Sequence, residues 1–345
     1  MNDGFKKFLS ASEKDRADAF LAASQRLGAN AQYIEKDFWV CWTLDVLYHG
    51  LSAGGPRLLF KGGTSLSKGY GLIHRFSEDI DITAFREDLK QAASAEELES
   101  LSKKKRQAKL DAIRDACRVW VQGALREGVS QRVAEYAGGA GRVELDDTDQ
   151  DGQTLLVFYP SIVRVETDYV RPAVRIECGA KSALDPHVGR TILPYIAEEV
   201  ANLKIAVAEV TTIEPIRSFW DKAVIAHGLR RWFERRGELR QEGQRVSRHY
   251  YDLHCIVNSE AGDAALAAEN LAIDCVRHAR LFFDRPDFDL ASAQRGSWVI
   301  EPSTGMLERL QADYAKTSPM IFGAAPKFEE IMASMKRIND SANKK

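Results

Sequence analysis

The sequence predicts an α+β protein with a mixed α/β lobe over residues 1–212 and a helical lobe over residues 213–345. Three observations lead to this prediction. The chain has 345 residues, roughly twice the length of a typical domain of ~100–150 residues, so two packed lobes are expected. Short alternating runs, separated by glycine and proline, occur repeatedly before residue 212. Helical periodicity dominates after Pro215.

The predicted elements of the first lobe alternate between helices and strands. Apolar residues recur at three-to-four spacing in the second helix, and Asp79-Ile80-Asp81-Ile82-Thr83 alternates as a half-buried strand does. From residue 129 to 179 the pattern changes to strands. The predicted helices span 11–28, 31–49, 64–70 and, as one or two polar helices, 86–127, and the predicted strands span 57–61, 79–83, 154–160, 161–170, 172–180 and 204–212.

The second lobe is predicted to be helical throughout. Its apolar residues follow the helical period, except in an irregular connector near residues 286–298. The predicted helices span 215–237, 248–258, 262–283, 304–316 and 326–339.

The composition is that of a globular protein. Hydrophobic residues make up 45% and charged residues 28% of the chain, which excludes the disordered, collagen-like and coiled-coil classes. With 48 Lys and Arg against 50 Asp and Glu the net charge is −2, so any nucleic-acid-binding surface has to be a local basic patch. The five cysteines form no Cys-x-x-Cys pair, which argues against structural zinc. Because no signal peptide or membrane-spanning run is recognisable, we expect a cytoplasmic protein.

The clearest chemical pattern is a glycine pair followed by an acidic strand. Gly62, Gly63, Thr64 and Ser65 open a short predicted helix. Glycine allows backbone N–H groups to approach a ligand closely, and a helix N-terminus favours an anionic phosphate. These residues are therefore predicted to bind the phosphates of a nucleotide. Lys68, at the end of this helix, is predicted to be an accessory phosphate contact or a surface charge.

Asp79 and Asp81 are predicted to be metal ligands. Two residues apart on a strand, their carboxylates project from one face with about 7 Å between the Cα atoms, close enough to share one or two hard divalent cations. A two-metal site generally has a third carboxylate. Glu177 is the candidate because it follows an alternating run at the edge of the predicted sheet, and Glu166 and Asp168 are the alternatives.

The stretch from Lys61 to Asp81 resembles the signature of the AbiEii/AbiGii toxin nucleotidyltransferases, which belong to the DNA polymerase β-like nucleotidyltransferase superfamily. Further segments match family motifs in the same order, so that the resemblance spans about residues 34–330. These segments are the Glu-Lys-Asp helix at 34–38, the lysine motif at 217–223, the Arg-Asp-x-Tyr-Asp-Leu motif at 248–253 and the closing helices at 313–329. At the third of them, His249 replaces the usual aspartate.

The resemblance implies a polymerase β-like mixed-sheet lobe and assigns roles to individual residues. It makes Gly63 and Thr64 part of the nucleotide-phosphate turn and makes Lys222 the residue that faces the triphosphate. The alternative for Lys222 is a pair with Asp221 or Glu214 on a solvated face. The catalytic residues implied or predicted are Asp79, Asp81, Lys222 and Asp252.

The function implied is that of a toxin in a toxin–antitoxin or abortive-infection system. It would transfer NMP from an NTP to an RNA acceptor, most plausibly tRNA, with Mg²⁺ (two ions) as the cofactor and a separately encoded antitoxin as a partner. Two alternatives stay open at this point. One is an enzyme of the same fold that modifies a protein or small-molecule hydroxyl, and the other is a non-catalytic nucleotide-binding module.

The segment from residue 230 to residue 248 is the predicted RNA contact. It contains seven arginines, and arginine binds phosphates through paired N–H donors. Arg235, Arg236 and Arg240 lack obvious helical partners and are predicted to bind the acceptor. The alternative is a solvated helix–loop–helix with internal ion pairs, in which case the basic run 103–106 is the next candidate.

Overall fold

The computed structural model describes residues 1–163, 171–240 and 245–344. These residues form two compact units. We call them the sheet unit (residues 1–69, 76–93 and 103–212) and the helical unit (residues 70–75, 94–102 and 213–345). The alternative third acids, Glu166 and Asp168, and most of the predicted strand 161–170 lie outside the described residues. Within those residues no helix is both long and apolar enough to cross a membrane.

A seven-stranded mixed sheet organises the sheet unit and confirms the predicted α+β class. The strands are β1 (Leu58–Lys61), β2 (Asp79–Ala84), β3 (Arg142–Leu145), β4 (Thr154–Phe158), β5 (Ala173–Gly179), β6 (His187–Ile192) and β7 (Val207–Ile213). Their order across the sheet is β3-β4-β5-β2-β1-β7-β6. The β2–β5 and β1–β7 pairs are parallel, whereas the β1–β2, β3–β4 and β4–β5 pairs are antiparallel.

Helices make up most of the remaining described structure. They are α1 (Asp3–Leu9), α2 (Glu13–Leu27), α3 (Ala31–Asp45), α4 (Gly62–Lys68), α5 (Ala95–Ser100), α6 (Lys103–Trp120), α7 (Arg126–Tyr136), α8 (Pro215–Arg236), α9 (Ser247–Val257), α10 (Gly262–Ala267), α11 (Glu269–Phe282), α12 (Thr304–Thr317) and α13 (Phe328–Asn343). Local signals set several of these ends. Helix α8 begins with Pro215, whose missing N–H costs nothing in a first turn, and ends at Gly237, which has a left-handed φ of 69°.

Helix α3 and strands β2 and β5 carry the core that supports the acidic strand. Ile80, Ile82 and Ile176 are fully buried, and they alternate with the polar residues of the same strands. Helix α3 packs on β2 and β5, and its Phe38 forms a ring cluster with aromatic residues of α1 and α2. The acidic residues of β2 are therefore held by a strand whose other face is anchored in the core.

Most predicted elements are confirmed, and the exceptions have physical explanations. Strands β3 and β6 are not predicted from the sequence. Residues 188–191 of β6 are exposed, so this strand has no apolar alternation. Residues 129–136 are helical rather than the start of a strand region, because Val129 and Val133 are four residues apart and bury the same side of α7. The predicted helix 262–283 is two helices, α10 and α11.

Candidate active site

The parallel pairing of β2 and β5 brings three acidic side chains to one face of the sheet. Asp81 is paired with Glu177, and Asp79 is paired with Arg175. Residues paired in this way project to the same face, as do residues two apart along a strand. Asp79, Asp81 and Glu177 therefore share one face, with Arg175 beside them. The structure thus places together the three residues that the sequence predicts as metal ligands.

The acidic face is an electrostatically unfavourable arrangement in the absence of cations. Burial, then Glu78 and Asp81, raise the pKa of Asp79 to about 6. Burial, then Asp81, raise the pKa of Glu177 to about 7, although Arg175 opposes that rise. Two perturbed carboxylates on one face are characteristic of sites that bind a cation or handle a proton.

The residues present fit a hard divalent cation that the substrate helps to hold. In the described part of the chain, no group of three or more His, Cys, Asp or Glu side chains is drawn together closely enough to hold a metal ion. At this face Arg175 Nη1 lies 2.7 Å from Glu177 Oε1 and engages the third carboxylate. Asp79 and Asp81 are the remaining oxygen donors. Mg²⁺ is commonly bound by one or two carboxylates together with substrate phosphates.

Because folding raises the pKa of Asp79, we predict a pH-dependent effect of the Asp79→Asn substitution. Between pH 4 and 7 the folded state binds this proton more tightly than the unfolded state, so the metal-free protein loses stability as the pH rises through about 6. The variant lacks this loss. Its melting temperature should exceed that of the wild type at pH 8 without metal, and the difference should disappear near pH 4. Equal melting temperatures at both pH values would contradict the electrostatic assignment.

Gly62 is required by the position of Asp81. Its φ of 80° lies in the left-handed region, and a Cβ built on it would overlap the Asp81 carboxylate, Oδ2 in particular. The first turn of α4 and the acidic strand therefore approach each other at Gly62, which has no side chain. This explains why the first residue of α4, directly after Lys61, is a glycine.

We predict that Gly62→Ala greatly reduces activity while the fold persists. The added methyl group has to push the Asp81 carboxylate away. In addition, an alanine in the left-handed region lowers the stability of the protein by ~1 kcal/mol or more. Gly54→Ala is the matched control, because Gly54 also has a positive φ of 97° but meets nothing within 4 Å. A similar loss of transfer in both variants would show that backbone strain alone is responsible.

The hydroxyl groups of Thr64 and Ser65 hold the turn together and do not face a ligand. Thr64 Oγ1 donates to the carbonyl oxygen of Asp79 at 2.5 Å, and Ser65 Oγ donates to the carbonyl oxygen of Gly62 at 2.9 Å. Both residues are almost completely buried. The bond of Thr64 Oγ1 fixes the backbone at Asp79, and the role of Thr64 in the phosphate-binding turn stays a prediction. Any nucleotide contact of this turn has to come from its backbone.

Two residues of the Glu-Lys-Asp segment of α3, Lys36 and Asp37, form ion pairs with residues that precede the acidic strand. Lys36 Nζ lies 2.5 Å from Glu78 Oε2, directly before Asp79. Asp37 Oδ1 lies 2.7 Å from Lys68 Nζ, and both side chains are buried. The prediction that Lys68 is a phosphate contact or a surface charge is therefore wrong: its ammonium group lies 3.6 Å from the centre of the Tyr195 ring, in a buried ion pair.

In the helical unit, Lys222 of α8 and Asp252 of α9 form an ion pair. Lys222 Nζ lies 2.9 Å from Asp252 Oδ2, and the Asp252 side chain is fully buried. Arg75 makes a two-pronged contact with the same carboxylate, at 2.9 Å from Nε and 3.0 Å from Nη2. The alternative partners of Lys222, Asp221 and Glu214, are not the ones observed. Arg75 is a residue that the sequence analysis missed, because its partner lies 177 positions away.

The arginines predicted to bind RNA are engaged within the helical unit. Arg236 Nη2 lies 2.6 Å from Asp287 Oδ2, and Arg235 Nη1 donates to the carbonyl oxygen of Pro286. The guanidinium of Arg240 lies 4.9 Å from the centre of the Phe288 ring. The sequence offers no obvious helical partners for these three arginines, and the structure supplies other partners from the connector after α11. Arg235 and Arg236 still expose about half of their side chains, 45% and 55%.

Comparisons with known proteins identify the family of this chain. Among solved structures the chain is similar to MenT4, a nucleotidyltransferase toxin from Mycobacterium tuberculosis H37Rv. The sequence identity is 15% and the TM-score 0.43, and the alignment covers 94% of this chain and 99% of the other. No curated protein matches the chain. Residues 45–334 match the family described as the nucleotidyl transferase AbiEii toxin of type IV toxin–antitoxin systems. The chain belongs to the AbiEii family and is a nucleotidyltransferase toxin of a type IV toxin–antitoxin system.

Proposed function

We propose that this toxin transfers NMP from an NTP to an RNA acceptor, with tRNA as that acceptor, in a Mg²⁺-dependent reaction. Family membership supplies the nucleotidyl transfer and the antitoxin partner. The observation that supports metal dependence is the face shared by Asp79, Asp81 and Glu177, whose carboxylates repel one another until a cation is bound. We expect the reaction in the cytoplasm, where the proposed RNA acceptor and the antitoxin would be present.

The proposed reaction is an in-line displacement at the α-phosphorus of the NTP. The acceptor hydroxyl forms a new P–O bond and loses its proton, while the bond to pyrophosphate breaks and pyrophosphate leaves. Asp79 and Asp81 would hold Mg²⁺, which supplies charge neutralisation of the phosphates and lowers the pKa of the attacking hydroxyl. Lys222 would bind the β- and γ-phosphates as a point charge. The backbone N–H groups of Gly62 and Gly63 would contact the nucleotide phosphates at the turn.

RNA binding is assigned to the exposed part of the arginine segment. The observed partners of Arg235 and Arg236 lie on the surface, where an ion pair contributes only about 0–1 kcal/mol. Phosphates of a bound strand can therefore replace them at low cost. Arg240 is held against Phe288 and would present a flat guanidinium face beside them.

We predict that replacing Arg235, Arg236 and Arg240 together with Gln weakens RNA binding and its salt dependence. Each phosphate contact that is lost should reduce the slope of log affinity against log salt by about 0.7, so a reduction of roughly two units is expected. The Michaelis constant for RNA should rise and that for NTP should stay unchanged. Arg277→Gln is the matched control, because Arg277 also pairs with surface carboxylates. An unchanged slope in the triple variant would show that the acceptor binds another surface. Residues 103–106 would then be the next candidate.

The proposed function is tested by incubating the purified protein with each α-labelled NTP, Mg²⁺ and total cellular RNA. We expect the label of one NTP to appear in the tRNA band and to require Mg²⁺. Label on protein, with none on RNA, would support an enzyme of the same fold that modifies a protein hydroxyl. Binding of NTP without transfer to any acceptor would support a non-catalytic nucleotide-binding module, and either result would contradict the proposal.

A further inference from the structure

We infer that Arg175 competes with the divalent cation for Glu177, and that Asp146 is the acceptor to which Arg175 turns when Glu177 binds the cation. This inference rests on the proposed function and deepens it, because it concerns the metal affinity of the same site. It makes Arg175 and Asp146 positioning residues, whereas Glu177 is the residue that would touch the cation.

The first support is the position of Glu177 in the sheet. Across β1, β2 and β5, Lys61 is paired with Asp81, and Asp81 is paired with Glu177. Paired strands lie about 4.8 Å apart, and side chains paired in this way project from the same face. The Glu177 carboxylate is therefore near enough to Asp81 to share a cation with it, once Glu177 is no longer engaged by Arg175.

The second support is that Arg175 lies between two carboxylates. Its Nη1 lies 2.7 Å from Glu177 Oε1, and its Nε lies 3.0 Å from Asp146 Oδ2. This Nε–H is buried and makes no hydrogen bond within the described residues, so it is close to Asp146 without being aligned on it. A buried donor without an acceptor is unfavourable. Rotation of the guanidinium toward Asp146 would supply the missing bond, and the cation makes that rotation possible when it takes Glu177.

The third support is that Asp146 is held in place independently of Arg175. Its N–H donates to the carbonyl oxygen of Thr154 at 3.0 Å. Its Oδ1 accepts from the N–H and the hydroxyl of Thr148, at 2.9 Å and 2.6 Å. The other oxygen, Oδ2, is the one that faces Arg175, and the side chain is only 10% exposed. Asp146 therefore offers Arg175 a fixed acceptor whether or not Glu177 is paired.

The fourth support is the weakness of the pair that has to break. The side chains of Arg175 and Glu177 are 35% and 39% exposed, and pairs between exposed charges contribute little to stability. A divalent cation carries twice the charge of a guanidinium and attracts the carboxylate more strongly. The cation can therefore take Glu177 from Arg175. Because it has to displace Arg175 first, the apparent affinity of the site for the metal is lowered.

The inference is tested by measuring Mn²⁺ binding without nucleotide. Free Mn²⁺ is followed by electron paramagnetic resonance in the wild type, R175Q, E177Q and R175Q/E177Q, with thermal melts as the check on folding. R175Q removes the competitor and should bind Mn²⁺ about tenfold more tightly than the wild type. In the E177Q background the same substitution should gain much less, by about threefold or under, because the carboxylate that it releases is absent.

Two further substitutions separate competition from charge alone. Lys61 Nζ lies 4.0 Å from Asp81 Oδ1, so K61Q removes a positive charge from the same face without releasing Glu177. Its effect on Mn²⁺ affinity should be the same with Glu177 and with E177Q. D146N weakens the second acceptor of Arg175 and should lower Mn²⁺ affinity, by about threefold, through Arg175 alone. It should therefore have no effect in the R175Q background.

The outcomes separate the inference from the proposed function. If R175Q binds Mn²⁺ as the wild type does, or if its gain is equally large in E177Q, Arg175 does not compete for Glu177 and the inference fails. If D146N lowers affinity equally in R175Q, Asp146 acts by its own charge and is not the acceptor of Arg175. If R175Q does not fold, D146N still decides, because it should weaken binding with Glu177 and not with E177Q. If neither the wild type nor any variant binds Mn²⁺, even with NTP present, the proposed metal dependence itself fails.

Discussion

Asp79→Asn and Asp81→Asn are expected to abolish nucleotide transfer while the protein stays folded. Each substitution keeps the shape of the side chain and removes a charged oxygen from the face that Asp79, Asp81 and Glu177 share. Transfer should fall by on the order of 10³-fold or more, a modest part of the 10⁶-fold or greater acceleration that enzymes supply. The measurement is incorporation of α-labelled NMP into RNA at saturating NTP.

The matched control for these variants is Asp88→Asn. Asp88 lies in the same unit and pairs with the exposed Arg57 at 2.9 Å, so this substitution removes a carboxylate away from the acidic face. Its transfer rate should stay close to that of the wild type. Near-normal incorporation by Asp79→Asn or Asp81→Asn would refute the assignment of these residues.

Asp37→Ala is expected to have the largest effect on stability. The substitution leaves the ammonium of Lys68 buried without its carboxylate, and it also removes the acceptor of the Tyr195 N–H at 2.6 Å. Breaking one side of a buried ion pair costs about 3–5 kcal/mol. Urea unfolding should therefore give a free energy of unfolding that is lower by this amount, and a lower midpoint concentration of urea.

Two further variants identify the cause. Asp88→Ala breaks an exposed ion pair and should cost less than about 1 kcal/mol. The double variant Asp37→Ala/Lys68→Met removes both charges and should be more stable than Asp37→Ala alone, because no unpaired buried charge remains. A double variant less stable than the single one would show that the ammonium of Lys68 is not the source of the loss.

The sequence predicts well those features of the fold and site that local patterns determine. The alternation of β2 places Asp79 and Asp81 on one face whatever else the chain does, and Pro215 and Gly237 mark the ends of α8. The position of Glu177 on the acidic face depends on the pairing register of β5 with β2. Glu177 shares the acidic face because β5 pairs in parallel with β2 at Asp81, and no local pattern determines that pairing.

The parts that escape prediction depend on contacts between distant segments. A lysine at the end of a short helix looks like a surface residue, and only the packing of α3 buries Lys68 against Asp37. The bond from the Thr64 hydroxyl to the carbonyl oxygen of Asp79 joins two residues 15 positions apart, and no local pattern predicts it. Arg75 lies beside the acidic motif in the sequence, but its partner Asp252 lies on α9.

The central claim, that this toxin transfers the nucleotidyl group, is tested most directly by paired labels on one NTP. The same reaction with RNA and Mg²⁺ is run once with the label on the α-phosphate and once with the label on the γ-phosphate. The α-label should move to the RNA and the γ-label should leave as pyrophosphate, with both events lost in Asp81→Asn. Transfer of the γ-label to an acceptor, or release of pyrophosphate unchanged by Asp81→Asn, would contradict the account.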